Sequence, residues 1–137
     1  MGSIILIKNN DIEEVLKGVS RQYLAGNLKR AQQLEFVRDE RLEIGITCYS
    51  EYTTEPVHFH TEAIEYQYML SGWTKYMDVE TGTEYEFKKG DFYCIEKNTT
   101  YAQKSTKGTR ILFIKTPSIN DKNVIEKSEI VKEWNDS

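Results

Sequence analysis

The sequence predicts a mainly β fold, a sandwich or barrel of short strands, and three observations carry that expectation. From Leu34 onward apolar residues recur with a period of two, the spacing of a half-buried strand. Gly, Asn and Asp interrupt the alternation at short intervals, as tight turns between strands require. Helical periodicity is confined to short stretches near the two ends. A chain of 137 residues has room for one domain.

Taken in order, residues 11–19 put Ile12, Val15, Leu16 and Val19 on one helical face with acidic residues in the first turn, which predicts a short amphipathic helix. Residues 20–33 contain Gly26-Asn27, basic residues and scattered apolar positions, a pattern open to a second helix, an irregular arm or an edge strand. Leu42, Ile44, Ile46 and Cys48 then alternate with Glu43, Gly45, Thr47 and Tyr49 as the first clear strand. Further strands are predicted at 57–60, 65–70, 73–78, 84–87, 92–95, 101–104 and 110–116. The turns between them are Ser71-Gly72, Thr81-Gly82, Lys89-Gly90-Asp91, Lys97-Asn98 and Lys107-Gly108. After Pro117, residues 118–123 read as a loop. Residues 124–134, with Val124, Ile125, Ile130, Val131 and Trp134, read as a strand plus helix packed on the barrel or on a partner chain.

Composition excludes several function classes. A net charge of −4 with scattered lysines offers no basic patch for nucleic acid. Apolar runs such as 111–114 fall far short of the roughly 20 residues of a membrane span, and no secretory pattern opens the chain, so a cytoplasmic protein without membrane partners is expected. Cys48 and Cys94 lie inside alternating stretches and read as reduced thiols packed in a sheet. Two cysteines are too few for a disulfide framework, although one bridge stays open. There is no phosphate-binding Gly-rich loop and no dinucleotide fingerprint.

The only two histidines stand two residues apart in Val57-His58-Phe59-His60, and on a strand that spacing aims both imidazoles at one face. Glu65 opens the next strand, so two nitrogens and a carboxylate can converge as a facial triad for iron(II) or a related divalent metal. With both histidines committed there, Ser-His-Asp and Cys-His schemes lack a base.

These residues resemble the first motif of the cupin superfamily: His58, His60, Glu65 and Gly72 match its spacing in full. The second motif is similar in Gly90 and in the turn at Asn98, with Glu96 in place of its proline and Tyr101 in place of its usual third histidine. The resemblance covers roughly residues 42–116. It implies a cupin-type double-stranded β-helix, a jelly-roll barrel of about residues 34–117 with terminal segments 1–33 and 118–137. It also implies one bound divalent metal, iron first, then manganese, nickel or zinc, on His58, His60, Glu65 and Tyr101. For Tyr101 three roles stay open: ligand, acid/base group or packed tyrosine. A local echo of ectoine synthase, a metal-dependent cyclase, over 65–93 nominates Tyr93 as a metal-facing tyrosine, while the paired histidines follow the general cupin pattern.

Strand alternation then puts Gln67 and Met69 on the side of Glu65, and Gln103 on the side of Tyr101. The expected pocket has Tyr93 and Tyr101 as catalytic groups and Gln67, Met69 and Gln103 against a small polar substrate; Gln67 and Gln103 are equally open to satisfying buried tyrosines and nearby backbone groups. Tyr66, Tyr68 and Trp73 read as an aromatic outer face covered by the terminal segments or a second subunit, which points to a homodimer. Arg110 is a strand-end residue, either solvated or an anion contact at the rim. The expected function is a metal-dependent lyase, cyclase or isomerase using Lewis-acid and tyrosine acid/base chemistry. The alternatives are a metal-free nucleotide-sugar isomerase or epimerase built on a His–Tyr couple, a cupin dioxygenase, and a non-catalytic sugar- or ligand-binding module.

Overall fold

The computed structural model describes residues 2–137. Helix α1 (Asn9–Leu16) is followed by strands β1 (Arg21–Gly26), β2 (Val37–Arg38), β3 (Glu43–Cys48), β4 (Thr53–His60), β5 (Ile64–Ser71) and β6 (Trp73–Asp78). Strands β7 (Glu84–Lys88), β8 (Phe92–Ile95), β9 (Tyr101–Ser105), β10 (Arg110–Thr116) and β11 (Lys122–Val124) come next, and helix α2 (Glu129–Asp136) ends the chain. The strands form two facing sheets, in the order β2-β1-β3-β10-β5-β8 and β11-β4-β9-β6-β7. Every pairing is antiparallel except β1 with β2. No helix among the described residues is long and apolar enough to cross a membrane.

The sheet extends beyond the expected barrel limits at both ends. Residues 21–26, undecided in the sequence, form β1 and pair with β3, while part of the expected loop 118–123 pairs with β4 as β11. Both additions bring side chains to the barrel mouth. The turn grammar holds where the backbone demands it: Gly72 has φ 73° and an added Cβ would collide with the Thr109 backbone, and Asn98 has φ 62° in the turn before β9. The Asn98 N–H donates to the His60 carbonyl at 2.6 Å, which ties that turn to the histidine strand.

On β3 the alternation is present, but the fully buried set is the polar one. Glu43, Gly45, Thr47 and Tyr49 are buried, while Ile44 and Ile46 are half-buried. The interior of this barrel houses a polar cavity, so its inner faces carry groups that apolar patterning treats as outer ones. Beneath the cavity lies a core rich in tyrosine: Tyr49, Tyr76, Tyr93 and Tyr101 pack with Met69 and Ile111. Tyr76 stacks on Tyr101 with ring centroids 5.0 Å apart and meets Tyr93 edge-on at 5.4 Å.

A second core forms outside the barrel, where Val131 and Trp134 of α2 cover Val57, Met77 and Ala102. Ser128 caps this helix, its Oγ accepting from the Val131 N–H. The Trp134 indole donates to Glu84 at 2.6 Å, and the buried Lys104 ammonium donates to the Trp134 carbonyl at 2.6 Å. The tail thus folds on its own barrel. It covers the face carrying Val57, and Tyr68 on the other sheet remains 42% exposed. Of the apolar tail positions, Val124, Ile125 and Ile130 stay exposed. Both cysteines are free, and Cys94, on β8, faces the surface instead of packing inside.

Candidate active site

A bulge in β4 aims the histidines. In the β4–β9 ladder Glu55 faces Gln103 and His58 faces Tyr101, so β4 carries one residue more than its partner between these pairs. Plain alternation from Glu55 would turn Val57 inward and both histidines out. The extra residue reverses that parity, putting Val57 under α2 and His58 and His60 into the cavity. Pro56 sits at the bulge, where no ladder N–H is required of it, and its carbonyl accepts the His58 Nδ1–H at 2.7 Å.

The cavity has a volume of about 230 Å³ and lies between the sheets. His58, His60, Glu65, Gln67, Tyr101 and Gln103 all line it, so six of the expected site residues share one chamber. Tyr93 and Met69 do not. The Tyr93 hydroxyl donates to the Gln67 amide oxygen at 2.5 Å from the far side, and Met69 is fully buried in the tyrosine core. Those two support the chamber from behind.

The two histidines have different electrostatic surroundings. With Nδ1–H committed to Pro56, His58 is the tautomer whose Nε2 carries a lone pair, and the Tyr101 hydroxyl donates to it at 2.9 Å. Burial is the main influence on His58 and, helped by the nearby Lys122 charge, outweighs the Pro56 bond to lower its pKa below 6.5. His60 is clamped between carboxylates, Nδ1 at 2.7 Å from Asp121 and Nε2 at 3.1 Å from Glu65. Burial alone would lower its pKa, but these two hydrogen-bonded anions prevail and raise it, favouring the imidazolium. Asp121 is itself fixed by the Glu62 and Ala63 N–H groups and, despite burial, is held down at about 2.

Gln67 donates to Glu65 at 2.8 Å and accepts from Tyr76 at 3.0 Å as well as from Tyr93. A continuous line of bonds therefore runs from Tyr93 and Tyr76 through Gln67 and Glu65 to His60 and Asp121. Its saturation fixes the Gln67 and Glu65 side chains, as a buried polar network must. Gln103 is less constrained, with amide contacts of 3.3 to 3.5 Å to Ser105, Thr74 and Tyr49. Burial pushes the Tyr101 hydroxyl well above its ordinary value, so it remains a proton donor in the resting site.

The expected metal centre requires neutral imidazoles with free lone pairs. Here the four proposed donors satisfy one another: Tyr101 occupies Nε2 of His58, and Glu65 lies 3.1 Å from Nε2 of His60. Among the described residues no group of three or more His, Cys, Asp or Glu side chains is gathered so as to hold a metal ion. The arrangement does not fit the expected divalent metal, and the chemistry below is derived from protein groups alone.

Several site residues escaped the sequence reading. Asp121 lay in the stretch read as loop, and Arg21 and Arg30 in the undecided segment. Tyr49, Tyr76 and Glu55 had no motif to mark them, although alternation from Thr47 and Gln103 places Tyr49 and Glu55 inward.

No family model and no curated protein matches the sequence. Solved structures resemble it in fold. An uncharacterized Klebsiella pneumoniae protein with a double-stranded beta-helix domain aligns over 92% of this chain and 100% of its own at 15% identity and TM-score 0.60. The chain has the double-stranded β-helix fold of the cupins. The polyketide cyclase RemF from Streptomyces resistomycificus aligns over 72% of this chain and 70% of its own at 20% identity and TM-score 0.56. The Streptomyces nucleoside dehydratase Pac13 aligns over 64% and 71% at 12% identity and TM-score 0.56. At these identities the likeness establishes the double-stranded β-helix fold.

Proposed function

We propose that this cupin is a small-molecule acid/base enzyme of the lyase type, which removes a proton from a carbon next to a carbonyl and expels a leaving group beside it. The observation that carries the reading is the unlike bonding of two histidines whose rings lie 5.3 Å apart in one cavity, His58 accepting from the Tyr101 hydroxyl and His60 held between Glu65 and Asp121. Environments that push two equivalent groups in opposite directions separate a base from an acid.

In the forward step the substrate C–H proton passes to the Tyr101 oxygen as the tyrosine's own proton moves to Nε2 of His58. The electron pair left on carbon forms the new double bond and the C–O bond to the leaving group breaks. His60 gives its Nε2 proton to the departing oxygen, which leaves as water, and Glu65 and Asp121 keep the imidazolium placed until that moment. His58 then holds one extra proton and His60 lacks one, and exchange with solvent resets both. Such positioned transfer contributes about 10²–10⁴ in rate. Solved neighbours whose names include a polyketide cyclase, a nucleoside dehydratase and DMSP lyases agree with this class.

A second reading shares the first half-step. Where no leaving group is present, the same His58–Tyr101 couple returns the proton to carbon, which is isomerisation or epimerisation.

The test is deuterium wash-in. Native protein in D₂O is incubated with a panel of β-hydroxy carbonyl compounds and keto sugars, and loss of the α-proton signal or release of water is followed by NMR. The expected result is exchange or elimination in at least one compound, removed by His58→Asn and by Tyr101→Phe. A compound turned over equally by native protein and both variants ends the reading.

A further inference from the structure

Resting on that reading, we infer that the substrate carries an oxyanion group, a carboxylate or phosphate, held at the cavity mouth by Arg30 and Lys122. The chamber carries the side chains of Arg21, Arg30, Lys115 and Lys122 against Glu43, Glu55 and Glu65, inside a protein whose net charge is −4. All three carboxylates are engaged. Glu43 lies 3.6 Å from Lys115, Glu55 accepts from Tyr49 at 2.5 Å and lies 3.8 Å from Arg21, and Glu65 faces His60. Arg30 and Lys122 are exposed, and among the described residues neither has a carboxylate or hydrogen-bond partner. The four cations of the lining outnumber its three carboxylates, and low-dielectric walls concentrate that field on an incoming anion.

Shape places the anion relative to the reacting carbon. The 230 Å³ chamber is smaller than the roughly 300–1,000 Å³ of common metabolite and drug pockets, so it encloses only the reacting part of a substrate. Beside it lies a second space of about 950 Å³ that shares Arg21, Arg30, Glu43 and Lys115 with it and adds Lys29. The rest of the substrate extends into this vestibule, with the oxyanion against the unpartnered cations. Lys122 fits this role by its register: β11 pairs it with His60, so the cation stands on the strand beside the acid. Arg30 comes from the arm after β1, on the vestibule side.

The experiment needs no turnover. Thermal unfolding of native protein and of the Arg30→Gln/Lys122→Gln double variant is followed with malonate, with its uncharged analogue malonamide, and with inorganic phosphate. Both substitutions lie at exposed positions, and circular dichroism checks the fold. At ten times its Kd a bound anion raises the Tm of the native protein by roughly 3–6 °C, and losing two charged contacts weakens binding about a hundredfold, which abolishes the shift. A rise with malonate and not phosphate assigns a carboxylate, and the reverse assigns a phosphate. Equal shifts in native protein and variant, as general salt stabilisation produces, overturn the inference. So does a native protein that neither anion shifts, or one that malonamide shifts as far as malonate. His58→Asn separates this inference from the acid/base reading: it keeps the anion shift, and if it also keeps turnover, only the acid/base reading fails.

Discussion

The hydroxyl of Tyr101 lies 2.9 Å from Nε2 of His58, and the two residues are direct partners in the β4–β9 ladder. The couple is therefore fixed by backbone pairing on both sides. The bulge at Pro56 turns His58 inward, the stacked Tyr76 ring holds Tyr101, and the Pro56 carbonyl chooses the tautomer. Three independent constraints converge on one proton.

Replacing Tyr101 with Phe removes that proton and keeps the ring. The stacking on Tyr76 survives, so the expected cost in stability is only about 1 kcal/mol for the lost hydrogen bond. Turnover is expected to fall about 10²–10⁴-fold, and kcat measured beside chemical denaturation separates the two effects. A large loss of stability with normal kcat would assign Tyr101 to packing alone.

Because the chain has two histidines, their titrations are readable individually by imidazole NMR, with His58→Asn giving the assignment. His58 is expected to titrate below 6.5 and His60 above it. The linkage signs follow. The stabilisation from His60 is complete below 6.5 and is lost as pH rises through its raised folded value. That from His58 is complete above 6.5 and is lost as pH falls toward its lowered one. Two titrations on the same side of 6.5 would remove the basis for an acid and a base.

Asp121 joins three groups: His60 and the Glu62 and Ala63 N–H groups. In Asp121→Asn one acceptor is lost and the charge disappears, so a destabilisation of roughly 1–3 kcal/mol is expected, together with a fall in the His60 pKa. Urea denaturation and the same NMR titration measure both. In the native protein the Asp121 contribution is present above pH 3.8 and is lost as pH falls through about 2. An unchanged His60 titration in this variant would show that Glu65 alone holds its proton.

The barrel and half of the site were legible because their signals are local. Alternation and turn residues marked each strand from β3 to β10, and the His58-x-His60 spacing with Glu65 marked the cavity wall. What stayed hidden depends on distant pairing. β1 has no clean period because both its faces are partly covered, and Asp121 sits in a polar stretch just before the three-residue strand β11. The parity reversal at Pro56 and Val57 could be read only from the register with β9. The spacing that pointed to a metal is also the spacing that gives two neighbouring histidines different partners, and the difference lies in the Asp121 contact that no motif contains.

The helix that closes the second sheet is testable by Trp134→Ala. The side chain is 8% exposed and packs on Val57 and Met77, and its indole bond to Glu84 is lost with it. A cost of about 3–5 kcal/mol is expected, with a lower urea midpoint. Since Val57 is the outward residue of the bulge, the loss is also expected to loosen His58, seen as broadening of its imidazole signals. A variant as stable as the native protein would place α2 away from the barrel in solution.

Metal content decides between the chemistry argued above and the facial triad that the spacing of His58, His60 and Glu65 implies. A divalent ion would have to displace the Tyr101 proton from Nε2 of His58 and remove one from Nε2 of His60, so its binding would weaken steeply as pH falls. It would also break the His60–Glu65 pair that the Gln67 network holds in place. Protein purified without a histidine tag is therefore expected to contain far less than one metal per chain by elemental analysis, and EDTA is expected to leave both Tm and turnover unchanged. One equivalent of iron, manganese, nickel or zinc that disappears in Glu65→Gln would restore the triad and move Tyr101 from proton relay to fourth ligand.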